Sequence, residues 1–260
     1  MAVNIKSQRE IELMREAGRI LAIVHEELQK ILRPGISTIE IDEKAEELIK
    51  SFGCIPSFKG YDGFPGSVCI SINDEVVHGI PSEEVILQDG DIVSIDCGVI
   101  YKGFHSDAAR TWSIGKISDE AEKLIKVTEE SFYEGIKFAK EGFYLYDISK
   151  AIGNYCKERG YGVVKDLVGH GIGRNLHEDP QIPNFEQKKR GIKLRAGMTL
   201  AIEPMITCGT DEVCWDEDDG WTVYTLDGSL AAHYENTILI TDGEPEILSL
   251  RKNNTEETNV

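Results

Sequence analysis

Four carboxylates and one imidazole stand where a pair of divalent cations could be held. Asp96 closes the run Leu87 to Asp96 (LQDGDIVSID), and Glu203 closes the matching run Leu194 to Glu203 (LRAGMTLAIE). Asp107 follows Asp96 across the turn Tyr101-Lys102-Gly103, so the two acids can face each other across paired strands. Glu235 follows Glu203 in the same way, across a longer loop. Four carboxylates gathered in one place repel, and their pKa values rise; cations set between them remove the conflict. Four negative charges balance two divalent ions, and a neutral His170 adds a nitrogen donor. An oxygen-rich set with one imidazole suits Mn, Fe(II) or Co, with Zn also admitted; structural zinc sites prefer thiolates. Two such ions close together would clamp a bridging water and lower its pKa toward neutrality.

Each of those runs alternates apolar and polar residues, the mark of a half-buried strand, and each opens at a glycine turn. The spacing of 107 residues that relates Gly90 to Gly197 also relates Gly35 to Gly142. A His-Gly-Ile triplet precedes each run, at His78-Gly79-Ile80 and at His170-Gly171-Ile172. The chain thus reads as an internal duplication, about 5–115 and 116–250, fused into one domain over 1–250, with a flexible polar tail at 251–260.

The elements that position the acids follow in the same order twice. Ser7 and Glu10 form a capping box ahead of an apolar stripe from Ile11 to Ile31, and Ser37 with Glu40 caps a second helix ending near Gly53. Val68 to Ile72 reads as a strand, and a hairpin runs out from Asp91 to Ile100 and back from Phe104 to Ile114. In the second half, helices are expected from Ser118 to about Ala139 and from about Leu145 to Arg159. A strand near Val163, the His170 segment, a polar loop from Asn184 to Lys193 and two strands ending around Glu203 and Glu235 follow. The loop carrying Asp211, Glu212, Asp216, Glu217, Asp218 and Asp219 reads as a solvated acidic turn.

Composition narrows the partners. The chain has 260 residues, 41% of them hydrophobic and 28% charged, with a formal net charge of −18, so a sizeable core is available and phosphate backbones are repelled. Direct nucleic-acid binding is not expected, nor is an anionic membrane surface. No apolar run reaches the length of a membrane span or a signal peptide. The six cysteines show no Cys-x-x-Cys spacing and read as reduced thiols of a cytoplasmic protein.

With these residues in view, the chain resembles the bacterial type I methionine aminopeptidases. The likeness rests on His78-Gly79-Ile80-Pro81, on Gly90 to Asp96 and on Gly103-Phe104-His105-Ser106-Asp107. In the second half it rests on Gly169 to Gly173 with His177-Glu178, on Ala201-Ile202-Glu203-Pro204 and on Tyr234-Glu235-Asn236-Thr237. It spans roughly residues 4–250. The resemblance implies an α+β pita-bread fold: two pseudo-symmetric halves, a curved antiparallel sheet inside and helices outside. It implies that Asp96, Asp107, His170, Glu203 and Glu235 are metal ligands, with Asp107 and Glu235 bridging. It makes His78 and His177 contacts to the scissile amide, and Glu203 the group that shuttles the proton from water to the leaving amine. The methionine pocket carried over by position uses Tyr61, Phe64, Cys69, Leu176 and Trp221, with Phe58 on its rim. Phe64 and Leu176 stand where relatives often have Tyr and Phe.

The implied activity is removal of the initiator methionine from nascent polypeptides whose second residue is small, by a monomer working near the ribosome. His105 and His233 each lie two residues before a metal-binding acid and, on a strand, share its face; ordinary structural histidines remain the plainer reading, as for His25. Proline-directed peptidases share this fold but carry a further N-terminal domain. Type II enzymes carry a helical insertion for which the 25 residues between His177 and Glu203 leave little room. A catalytically dead binding module would have lost ligands that this chain retains.

Overall fold

The computed structural model describes residues 3–251. The tail expected to be flexible therefore lies, from residue 252 onward, outside the described residues. Helix α1 (Gln8–Ile31) begins where the Glu10 carboxylate accepts the Ser7 backbone N–H at 2.9 Å, and α2 (Thr38–Ser51) begins in the same way at Ser37 and Glu40. In the second half α3 (Asp119–Ile136) and α4 (Leu145–Lys157) occupy the corresponding places, each stopping two or three residues short of the end read from periodicity. No helix among the described residues is long and apolar enough to cross a membrane.

The first hairpin pairs Ile92–Tyr101 with Phe104–Ser113 without a register shift, from Ile92 opposite Ser113 to Tyr101 opposite Phe104. Its two-residue turn holds Lys102 (φ 48°) and Gly103 (φ 81°) in the left-handed region, which matches the twist of the strands. Alternation then sorts the side chains. Val93, Ile95, Cys97 and Val99 enter one core with Leu21, Val24 and Leu28 of α1 and Ile41, Ala45 and Ile49 of α2. Asp96 is left on the opposite face, and a one-residue slip would drive it into the helices, so burial of the apolar set fixes the register.

The second hairpin is built on the same plan with a break in the middle. Thr199–Ile202 pairs with Asn236–Leu239, and Met205–Thr207 pairs with Ala231–His233 in the unchanged register. Glu203, Pro204, Tyr234 and Glu235 fall in the gap. Pro204 has no N–H to donate, although its carbonyl still accepts from Tyr234 at 3.2 Å. Leu200, Ile202 and Ile238 pack against Phe132 and Ile136 of α3 and Ile148 and Ile152 of α4.

Backbone contacts recur 107 positions apart. The Gly35 N–H donates to Leu87 O at 2.8 Å, and Gly142 to Leu194 O at 3.1 Å. The bridge between Ser37 and Ile86 has its counterpart between Tyr144 and Lys193. Every strand pairing among the described residues is antiparallel.

A seam joins the two hairpins next to the acids. The Thr111 hydroxyl accepts the His233 N–H and donates to the His233 carbonyl, both at 2.9 Å. Glu235 N–H donates to Ala109 O at 2.9 Å. Thr237 then does for Asp107 what Thr111 does for His233, accepting its N–H at 2.8 Å and donating to its carbonyl at 2.9 Å. Each half lends one threonine hydroxyl to the backbone of the other.

Candidate metal centre

The seam brings the acids of both halves to one place. Asp107 sits diagonally from Asp96, whose direct partner is Ala109, so both carboxylates leave the same face of the first hairpin. Asp107 and Glu235 are 3% and 1% exposed, while Asp96 and Glu203 keep a partial opening. Ligand atoms of Asp107, His170 and Glu235 lie within 4.8 Å of one another. His170 Nε2 is 3.6 Å from Glu203 Oε1 and 4.0 Å from Asp107 Oδ2.

The His170 tautomer follows from its other contact. Nδ1 lies 2.9 Å from the Gly171 carbonyl, which can only accept, so Nδ1 carries the proton and Nε2 presents its lone pair to the acids. Burial holds this histidine down to about 3, so it is a neutral donor at physiological pH.

The carboxylates are pushed the other way. Burial is the largest cause for all four. Asp96 rises to about 7. Asp107 and Glu235 rise well above the usual range through burial and mutual repulsion, as does Glu203 through burial and the charge of Asp96. Arg110 alone opposes this at Glu235; its guanidinium donates to the Glu235 carbonyl and to Asn236 Oδ1 and lies over the Tyr234 ring. Asp96 Oδ1, Asp107 Oδ1 and Glu235 Oε1 are buried with no hydrogen-bond partner. Buried polar atoms are rarely left unpaired, and unpaired anionic oxygens converging on an imidazole lone pair fit divalent cations.

A cavity of about 250 Å³ opens onto these acids. Its lining includes all the residues of the expected pocket, Tyr61, Phe64, Cys69, Leu176, Trp221 and Phe58, together with His78 and His177. Phe64 and Trp221 meet edge to face at 5.2 Å, joining a wall from each half. The His177 and His170 rings are 4.3 Å apart, and the Tyr61 hydroxyl is 2.8 Å from His177 Nδ1. His78 sits in the left-handed region at φ 63°, directly after the strand Glu75–Val77. Burial lowers both histidines, His78 to about 4.

The two histidines that precede acids part company. His105 turns its Nδ1 to Ser57 Oγ at 3.0 Å and does not line the cavity. His233 does line it, with Nε2 3.7 Å from Glu203 Oε2 and no hydrogen-bond partner. Reading His233 as an ordinary structural histidine missed this exposure to the acids. His25 is structural, its Nε2 2.8 Å from Ala108 O. Sequence reasoning also missed Met205 in the pocket wall, the two seam threonines, and Asn184, a buried residue at the head of the supposed polar loop that donates to Glu203 O at 2.9 Å. A polar side chain at an inward-facing strand position was the available signal for Thr111 and Thr237.

Residues 12–242 match the model of metallopeptidase family M24. The chain belongs to metallopeptidase family M24. It is 56% identical over 248 residues to the methionine aminopeptidase of Clostridium acetobutylicum, covering 95% of this chain and 99% of that one. The Bacillus subtilis methionine aminopeptidase 1 is 52% identical over 244 residues, 94% of this chain and 98% of the relative. The crystal structure of methionine aminopeptidase from Thermotoga maritima superposes with a TM-score of 0.94 at 44% identity, covering 96% of this chain and all of that one. The mixture of helices and antiparallel sheets is thus the pita-bread fold of M24 peptidases, and the chain is a hydrolase whose family works with divalent metal ions.

Proposed function

We propose that Asp96, Asp107, His170, Glu203 and Glu235 hold two divalent ions, and that His78, His177 and Glu203 carry the reaction beside them. The chain removes the N-terminal methionine of a polypeptide by hydrolysing its first peptide bond. The observation that carries this reading is the set of unpaired carboxylate oxygens facing the His170 lone pair at the floor of an apolar cavity. When bound, the ions supply the electrophilic charge that makes water a nucleophile near neutral pH. Mn, Fe(II) and Co suit the donor set best.

The methionine side chain fills the space between Phe64, Cys69, Leu176, Met205 and Trp221, where sulfur and aromatic edges give a thioether favourable contacts. Tyr61 keeps its phenol proton, since burial raises its pKa. Donation of that proton to His177 Nδ1 leaves Nε2–H free to stabilise charge on the scissile carbonyl oxygen. His78, neutral at working pH, hydrogen-bonds the scissile amide from the opposite wall. Glu203 takes a proton from water and returns it to the departing amine. His233, beside the second oxygen of Glu203, limits how that carboxylate turns.

The two halves act as one domain, 1–250, with an internal repeat. The substrates are nascent chains with a small second residue, met in the cytoplasm near the ribosome by a monomeric enzyme.

Metal-free protein assayed on Met-Ala-Ser and Ala-Pro-Gly, with Mn, Fe(II), Co and Zn added back in turn, tests the reading. Metal-restored cleavage of Met-Ala-Ser alone is expected. Preference for Ala-Pro-Gly would move the chain to the proline-directed peptidases, and full turnover without metal would end the proposal.

A further inference from the structure

Five carboxylates line the cavity, and no Lys or Arg does. Four of them, Asp96, Asp107, Glu203 and Glu235, are balanced by two divalent ions on the reading above, on which this inference rests. That leaves Asp62 as the one lining carboxylate outside the proposed ligand set.

Its place in the fold is well defined. Asp62 is exposed while Phe64 and Cys69 deeper in the lining are buried, so it stands at the mouth. The turn that bears it is closed by its own backbone: Gly60 N–H donates to Phe64 O at 2.8 Å, Tyr61 N–H to Phe58 O at 2.9 Å and Phe64 N–H to Tyr61 O at 2.9 Å. Tyr61 is tied in turn to His177. Among the described residues no cation pairs with Asp62. The acidic loop before Trp221 is different: Asp216 accepts from the Asp218 and Asp219 N–H groups, and Asp219 from those of Trp221 and Thr222, so these carboxylates are spent on shaping their own turn.

We infer that Asp62 selects substrates by charge, favouring a Lys or Arg at the third residue of the polypeptide and opposing an Asp or Glu there. On that reading the methionine side chain lies among Phe64, Cys69, Leu176, Met205 and Trp221 and the polypeptide runs outward past the mouth, so with a small second residue the third side chain is the first long enough to reach Asp62. The plain alternative is conformational. Asp62 has φ 47°, a left-handed backbone that Asp and Asn tolerate better than most residues, and the carboxylate would then be incidental.

Asn keeps that tolerance and removes the charge, which separates the two. The Mn-loaded enzyme is assayed on C-terminally amidated Met-Ala-Lys-Ser, Met-Ala-Ser-Ser and Met-Ala-Glu-Ser, and kcat/KM ratios are compared within each variant. The wild-type ratio of the Lys to the Glu peptide should be about threefold to tenfold, the scale of attraction plus repulsion at an exposed charge, and should shrink in about 0.5 M salt. Asp62→Asn should bring it close to one, and Asp62→Lys should invert it. A ratio near one in the wild type, or a preference that survives Asp62→Asn, overturns the inference while leaving methionine removal intact. Failure to cleave any of the three peptides would instead strike the underlying reading.

Discussion

The two hairpins deliver the same pair of acids by different means. In the first, ten-residue strands run unbroken through a tight turn, and Asp96 and Asp107 lie diagonally across a continuous ladder. In the second, the ladder opens where Glu203 and Glu235 stand, and the strands resume beyond it in the same register. The unbroken hairpin is a platform whose inner face carries Ser94, His105, Ala109 and Thr111 around its two acids. The broken one frees two carboxylates from the pleat and sends a long loop outward, which returns with Met205, Trp221 and His233 in the cavity wall. The unbroken copy holds its acids on a rigid ladder, the broken one frees its acids from the pleat, and both copies wall the cavity.

That contrast can be broken by substitution. Asp107→Asn should abolish turnover and cost more metal affinity than the roughly 10–100-fold typical of outer partners, since a neutral amide cannot replace the charge of a buried carboxylate; calorimetry with Mn reads it, and unchanged stoichiometry would remove Asp107 from the proposed ligand set. His177→Ala should lower kcat by about 10²–10³-fold with metal binding retained. Metal loss from that variant would make His177 a ligand.

The seam gives a smaller and more discriminating effect. Thr237→Val removes both bonds to the Asp107 backbone, so metal affinity should fall by about tenfold, while Thr237→Ser, which keeps the hydroxyl, should recover it. Thr111→Val acts on His233, which lies outside the proposed ligand set, and should leave affinity closer to wild type. Equal losses from the two valines would mean that the seam serves folding alone.

Much of this was legible in the chain. Capping pairs at Ser7 and Ser37, alternation ending on Asp96 and Glu203, and the spacing between the halves are local patterns, and local patterns survive without knowledge of the fold. The break at Pro204 could not be read as a continuing register, because register depends on a partner strand some thirty residues away. The different fates of His105 and His233 were equally hidden. Both sit two residues before an acid, and only the tertiary neighbours Ser57 and Glu203 tell them apart.

The smallest expected effect is on stability. A carboxyl whose folded pKa is raised binds more protons in the folded state, so its stabilising contribution is full below its unfolded pKa and is lost as pH rises through the folded value. Asp96, raised to about 7, therefore weakens the metal-free protein on going from pH 6.5 to 8. The buried histidines, held to about 3 or 4, lose stability only as pH falls below their unfolded value near 6.5 and do not enter this window. A fall in Tm of about 2–5 °C is expected for metal-free protein, with less for the Mn-loaded form. A rising Tm across that window would show that the acids are not crowded.

The crowding of acids from both hairpins around one imidazole is most directly tested by titrating Mn(II) into metal-free protein at pH 7.5, in buffers of different ionisation enthalpy. Carboxyls raised by burial and by one another must give up protons as cations enter. The account predicts saturation near two ions per chain with net proton release, and a loss of that release in Asp107→Asn. Binding with no proton exchange, or none at all, would contradict it.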